Sequence, residues 1–203
     1  MTQGAVVFAC SPRKGGNTDV AAALLAQGVQ EAGGRADVVY LRDHAVAGCM
    51  ACGHCERDPA CGCALAATDQ AESLFALLLA TPCAIFASPI YFYSVPAHFK
   101  AFIDRAQRYY VLKRRPESTM ACLPWRKAHV VLAAGRVRGD YLFDGALRTL
   151  RVFLDPFNLT LDAPLLLRGL DAHGELATDA TRRDQLRAHG RAAWTGRSGL
   201  DQA

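Results

Sequence analysis

The sequence predicts one α/β domain built around a doubly wound, five-stranded parallel sheet with the strand order 2-1-3-4-5. Short apolar runs and segments of helical periodicity alternate along the chain. Most of the runs are apolar nearly throughout, which is typical of parallel strands covered by helices on both faces. We take residues 1–203 as a single domain, because no linker, repeat or low-complexity stretch divides them. The predicted order places a ligand site outside the carboxyl ends of strands one and three.

The first half of the chain contains the first three predicted strands. They are apolar runs beside turn residues, at 5–9, 36–41 and 83–87. A helix is expected from about Thr18 to Gly33, because apolar residues recur at helical spacing between them. The first two strands and this helix form the first strand–helix–strand crossover.

The remaining helices show start signals or apolar stripes. Asp69 followed by Glu72 predicts a capped helix start, and Pro96 opens another helix at a position where its missing N–H costs nothing. Two more strands and two more helices complete the pattern, the strands at 128–134 and 159–167 and the helices at 141–154 and 179–194. Pro164 interrupts the last strand, and the polar tail after residue 196 is expected to fray.

Composition and charge exclude several classes of protein. The net charge of +4 is small and scattered, which argues against nucleic acid as a partner. No apolar run approaches the roughly 20 residues that a membrane span needs. Residues 1–4 lack the features of a secretory signal. We therefore expect a cytoplasmic protein with no membrane partner.

The loop after the first strand has the composition of an anion-binding site. Its sequence, S-P-R-K-G-G-N-T, joins a buried strand to a helix start, where backbone N–H groups and the helix dipole meet. Two glycines let the backbone curl, and an arginine can pair with a dianion. Neither the P-loop nor the G-x-G-x-x-G pattern is present, so a monophosphate such as that of FMN fits better. The candidate phosphate ligands are Ser11, Arg13, Gly16, Asn17 and Thr18. The alternative is an ordinary strand-to-helix turn capped by Thr18.

The loop after the third strand, from Ser88 to Pro96, is expected beside the first loop. A flat heteroaromatic ring needs apolar and aromatic walls together with a few amide donors. The candidate wall residues are Pro89, Ile90, Tyr91 and Phe92. Gly135 and Arg136, in the loop after the fourth strand, could close over the ring. The alternative is a hydrophobic plug under the following helix.

These motifs resemble those of the NADPH-dependent FMN reductase family and, within it, the iron–sulfur flavoproteins. The resemblance rests on S-P-R-K-G-G-N-T, on S-P-I-Y-F-Y-S-V-P-A-H-F-K-A-F-I-D-R and on the cysteines between them, and it covers the chain to about Leu154. It implies a flavodoxin-like fold with FMN at the switch point of the sheet, which lies outside the carboxyl ends of strands one and three. It also implies a homodimer or homotetramer with flavin sites near subunit interfaces, and it adds Ser94 to the flavin-lining residues.

A cysteine-rich insertion occupies about residues 48–63. Four of its cysteines have the spacing C-x2-C-x2-C-x5-C, namely Cys49, Cys52, Cys55 and Cys61. Such a compact run suits a 4Fe–4S cluster. Because the insertion follows the second strand, we expect it at the flavin edge of the sheet. A four-thiolate zinc site, a redox-active dithiol and reduced, metal-free cysteines remain alternatives, and Cys63 fits none of the spacings.

The sequence thus predicts an oxidoreductase in which NAD(P)H reduces bound FMN and an acceptor then takes the electrons. No catalytic side chain is assigned, because positioning and electrostatics suffice for hydride transfer to a flavin. The rival is an electron carrier that docks on a ferredoxin-like redox protein and binds no nicotinamide. The basic run from Lys113 to Arg115, expected in a loop, is compatible with a solvated surface, with a phosphate of NADPH or with an acidic partner.

Overall fold

The computed structural model describes residues 4–196, and the tail that we expected to fray lies outside this range. The strands are β1 (Ala5–Ala9), β2 (Ala36–Tyr40), β3 (Ala84–Pro89), β4 (Arg126–Ala134), β5 (Leu159–Leu161) and β6 (Leu165–Arg168). The helices are α1 (Asn17–Glu31), α2 (His54–Arg57), α3 (Ala71–Ala80), α4 (Ala97–Arg105), α5 (Gln107–Lys113), α6 (Asp144–Leu154), α7 (Glu175–Thr178) and α8 (Ala180–Thr195). Across these described residues, no helix is both long and apolar enough to cross a membrane.

The sheet is parallel and has the order β2-β1-β3-β4-β5, which confirms the predicted topology. The predicted last strand, 159–167, is in fact two short strands that both pair with β4. Leu159 lies opposite Arg126 at the start of β4, and Arg168 lies opposite Ala134 at its end. Pro164 stands between the two strands, where it has no N–H to donate to a ladder.

The two faces of the sheet have different cores, because successive residues of a strand point to opposite sides. Phe8 and Phe86 face a cluster of aromatic rings under α3, α4 and α6. In this cluster the rings of Phe75 and Phe102 stack with their centroids 4.4 Å apart. On the other face, mostly small residues such as Ala9 lie under α1 and α8. The smaller side chains let α1 pack close to the sheet, and α8 packs against α1.

Helices α1 and α8 also cross at very short range. A Cβ atom added to Gly28 would lie 2.1 Å from the carbonyl oxygen of Arg187, and one added to Gly190 would lie 2.2 Å from that of Leu25. The two backbones therefore touch at a point where no larger residue fits.

We predict that Gly190→Ala lowers the free energy of unfolding by about 1–3 kcal/mol, the usual cost of overpacking. A loss of stability is diagnostic of the close crossing, because alanine in place of glycine ordinarily stabilises a helix. Urea unfolding followed by circular dichroism measures the effect. The control is Gly48→Ala, where an added Cβ meets no atom within 4 Å. Equal stability of Gly190→Ala and the wild type would contradict the described crossing.

A buried histidine on β4 makes stability depend on pH. Burial lowers the pKa of His129 to about 4, although the neighbouring Asp162 carboxylate opposes this shift. The Nδ1 atom of His129 lies 3.5 Å from Oδ2 of Asp162. The unfolded chain therefore takes up a proton near the ordinary pKa of 6.5, whereas the folded protein does so only near pH 4. Acidification through this interval favours unfolding.

We accordingly expect the free energy of unfolding to fall as the pH is lowered from 6.5 to about 4.5, and His129→Gln to flatten this slope. Denaturant titrations at half-unit pH steps test the expectation, with exposed His173→Gln as the control. An unchanged slope in His129→Gln would refute the assignment.

Candidate functional site

The loop between β1 and α1 forms a nest of free backbone donors at the carboxyl edge of the sheet. The N–H of Cys10 donates to the carbonyl of Ala87 at 2.8 Å, which keeps the loop beside β3. In this loop, four backbone N–H groups have no hydrogen-bond partner among residues 4–196. They are the N–H groups of Ser11, Lys14, Asn17 and Thr18. Asn17 and Thr18 are the first two residues of helix α1, and the helix dipole also favours an anion at this end.

A mostly buried ion pair, which sequence reasoning missed, fixes the shape of this nest. Asp19 accepts a hydrogen bond from the N–H of Gly15 at 2.7 Å and another from Nη1 of Arg42 at 2.8 Å. Arg42 also donates to the carbonyl of Ser11 at 3.3 Å. The side chains of Arg42 and Asp19 are only 14% and 11% exposed. The sequence signal for this ion pair was Asp19, an acidic residue in the first turn of α1. Its partner Arg42 could not be identified from the sequence, because it lies beyond β2.

The predicted phosphate ligands divide into two groups. Ser11, Gly16 and Thr18 are buried in the nest. By contrast, the side chain of Arg13 donates to the carbonyl of Asp171 at 3.2 Å. The Asn17 amide donates to the carbonyl of Ala172 at 2.9 Å and accepts from the N–H of Leu176 at 3.1 Å. Arg13 and Asn17 thus form a rim that binds the segment 171–176.

The loop after β3 is a tight turn that presents aromatic side chains. Tyr91 and Ser94 exchange two backbone hydrogen bonds, each of 2.9 Å. Between them Phe92 and Tyr93 have φ angles of 48° and 62°. Two consecutive left-handed residues define a type I′ turn, which normally contains asparagine or glycine. The N–H groups of Phe92 and Tyr93 meet no acceptor among residues 4–196, and Phe92 is fully exposed.

This turn and the loop after β4 enclose a hollow of about 480 Å³, which we call the ring bay. It is lined by Ile90, Tyr91, Phe92, Tyr93, Ala134, Gly135, Arg136 and Leu142. Nη1 of Arg136 donates to the Tyr93 hydroxyl at 3.2 Å and so joins the two loops. Most of the predicted flavin-lining residues therefore meet here, while Pro89 ends β3 and Ser94 closes the turn.

The cysteine-rich insertion borders a second hollow of about 430 Å³, which we call the thiol pocket. Four cysteines line it, Cys49, Cys52, Cys55 and Cys63. Cys61, which the spacing favoured, is fully buried and is not among the lining residues. Within the described part of the chain, no group of three or more potential ligands is arranged around one metal position.

The position of the insertion at the flavin edge of the sheet stays a prediction. Helices α4 and α5 form one side of the thiol pocket. Asp104, Arg105, Gln107 and Arg108 line one side of it, at the junction of α4 and α5. Helix α4 begins shortly after the ring bay and runs nine residues away from it, a length of about 13 Å. The N–H of Ala47 donates to Asp69 at 2.9 Å, which joins the loop after β2 to the segment just before α3.

The basic run belongs to the same region and is not a free loop. Lys113 ends helix α5, and its Nζ lies 3.3 Å from a carboxylate oxygen of Asp155. Arg115 donates to the carbonyl oxygens of Glu56, Asp58 and Pro59 at 2.8–2.9 Å. The guanidinium of Arg115 thus stabilises the end of α2 in the cysteine-rich insertion.

The sheet order, with helices on both faces and a crevice at the switch point, defines a flavodoxin-like protein. The chain belongs to the NADPH-dependent FMN reductase family, whose model matches residues 5–139. The iron-sulfur flavoprotein of Methanosarcina thermophila is 32% identical over 105 residues, 52% of this chain and 51% of that protein. The match therefore spans about half of each sequence.

Solved structures show the same fold at low sequence identity. A flavone reductase superposes with a TM-score of 0.71 at 11% identity, over 98% of this chain and 64% of that one. The NAD(P)H:quinone oxidoreductase of Methanothermobacter marburgensis gives a TM-score of 0.63 at 15% identity, over 94% of this chain and 96% of that one.

We predict that Arg42→Gln weakens FMN binding roughly tenfold, or about 1.4 kcal/mol, because Asp19 would lose its buried partner and the nest would relax. Titration of the flavin-free protein with FMN, followed by flavin fluorescence, measures the dissociation constant. The matched control is exposed Arg35→Gln. A wild-type constant in a fully folded Arg42→Gln protein would rule out this role for the ion pair.

Proposed function

We propose that this protein is an FMN-dependent oxidoreductase that takes electrons from NAD(P)H and delivers them to an acceptor through a cysteine-bound 4Fe–4S cluster. The observation that carries the proposal is the nest of four free N–H groups beside the ring bay at the switch point of the sheet. When bound, FMN supplies hydride acceptance and the release of electrons one or two at a time.

The residues of this chain would bind and orient the cofactor. The nest would bind a phosphate, with the backbone N–H groups of Ser11 and Thr18 among its donors. In the ring bay, Ile90 and Tyr91 offer apolar surface, and the free N–H groups of the turn can donate to the polar edge of a flavin ring. Arg136 holds the two walls of the bay together.

The thiol pocket supports the iron–sulfur part of the proposal through its donor chemistry. Thiolate sulfur is the ligand that iron–sulfur clusters prefer, and four cysteines line one pocket of suitable size. The relative from Methanosarcina thermophila is named for iron and sulfur as well as flavin. A cluster would supply single-electron transfer, and binding it requires the insertion to draw its thiols together.

The separation of the two hollows favours separate access for donor and acceptor. NAD(P)H would approach the ring bay, whereas the acceptor would approach the thiol pocket beyond the far end of α4. We include in the proposal a homodimer or homotetramer and no partner among nucleic acids or membranes. A cytoplasmic location is also proposed, since a reducing compartment suits eight free cysteines.

The second candidate function is an electron carrier that binds a ferredoxin-like protein and no nicotinamide. The exposure of Cys49, Cys52 and Met50 at the thiol pocket favours it, because a protein partner could reach the sulfur atoms there.

The two functions are separated by anaerobic purification followed by a visible spectrum, iron and acid-labile sulfide analysis, and titration with NADPH and NADH. We expect flavin bands that bleach with a nicotinamide and about four irons per chain. Bleaching without iron would leave a plain FMN reductase and overturn the cluster. Iron with no bleaching would favour the carrier, and flavin that cannot be restored with added FMN would refute both.

A further inference from the structure

The segment 171–176, just after β6, contacts the loops of both the nest and the ring bay. Arg13 and Asn17 hold it beside the nest through three hydrogen bonds of 2.9–3.2 Å. Close to the ring bay, a Cβ atom added to Gly135 would lie 2.8 Å from Oδ1 of Asp171, and Gly135 lines the bay. The segment is therefore part of the surroundings of the candidate site.

The imidazole of His173 lies against the loop that forms the nest. A Cβ atom added to Gly15 would meet Nε2 of His173 at 3.6 Å and no other atom of the described residues within 4 Å. The chain on both sides of His173 is held in place, because the Asn17 side chain bonds to the carbonyl of Ala172 and to the N–H of Leu176. The backbone of the segment thus fixes His173 at the nest, where a glycine leaves space beside its ring.

The polar groups at this side of the nest lack an anionic partner. Within the described part of the chain, the side chains of His173 and Lys14 form no hydrogen bond and no ion pair. The nearby carboxylates are already bound. Glu175 accepts two backbone N–H groups of its own segment at 2.7 and 2.9 Å, and Asp19 forms its ion pair with Arg42. A bound anion would therefore find an unpaired ammonium and an unpaired imidazole beside the free N–H groups of the nest.

We propose that His173 is a further ligand of the cofactor phosphate, to which its ring N–H donates a hydrogen bond. This inference rests on the FMN site of the proposed function, and it concerns a residue outside 5–139, the part of the chain that the family model matches. A hydrogen bond to a charged phosphate oxygen is stronger than one between neutral groups. Because His173 is exposed in the protein without cofactor, it contributes to cofactor binding and not to the stability of the flavin-free fold.

The test compares FMN with riboflavin, which has the same ring and ribityl chain but no phosphate. The flavin-free wild type and its variants are titrated with each flavin, and flavin fluorescence gives the dissociation constants. We expect His173→Ala to weaken FMN binding about tenfold, as for the loss of one hydrogen bond to a charged group, and to leave riboflavin binding unchanged. His173→Gln keeps an N–H donor and is expected to lose less. The matched control is Arg35→Ala, which removes an exposed cation just before β2, at the amino edge of the sheet.

The outcomes separate the role of His173 from the FMN site itself. An FMN dissociation constant in His173→Ala equal to that of the wild type would overturn the assignment. Equal weakening of FMN and riboflavin binding would overturn it as well, because the substitution would then act by loosening the segment and not through the phosphate. A wild type that binds FMN no more tightly than riboflavin would instead refute the phosphate nest of the proposed function, and the role of His173 with it.

Discussion

The parallel pairing of β1 with β3 determines where the functional loops lie. Because all paired strands run in one direction, the loops after β1, β3 and β4 emerge at the same edge, and the hydrogen bond from Cys10 to Ala87 holds the first of them beside β3. The helices return on the two faces and supply the core. The positions of the nest and the ring bay are therefore direct consequences of the sheet order. Short loops at the ends of the strands are enough to form their walls.

Two buried ion pairs stabilise segments that lie outside the sheet. Asp19 and Arg42 join α1 to the segment after β2, and Asp69 and Arg105 join the segment before α3 to α4. A buried pair is favourable only when further hydrogen bonds satisfy it, and in both cases backbone groups provide them. The first pair borders the nest, and Arg105 of the second pair lines the thiol pocket, so the same contacts that hold the loops also determine the charge around these two places.

Strand β1 could be predicted because it depends on a local apolar pattern, and the strand order because alternating strands and helices are typical of a doubly wound parallel sheet. The division of the last strand at Pro164 was visible in the sequence, but its two parts could not be placed along β4 without the tertiary register. The use of Asn17 could not be predicted, since its partners lie 155 or more positions away. Cysteine spacing favoured Cys61, yet Cys63 lines the thiol pocket, because in an irregular loop long-range contacts decide which side chain reaches a pocket.

The rim of the nest has a consequence for the order in which the protein matures. Arg13 and Asn17 bind the segment 171–176, which is synthesised more than 150 residues after them. A nascent chain would therefore contain the donors of the nest long before their surroundings are complete. The rim of the nest is therefore complete only after the segment 171–176 has been synthesised and has docked, and damage to this distant segment would loosen the loop at residues 11–18.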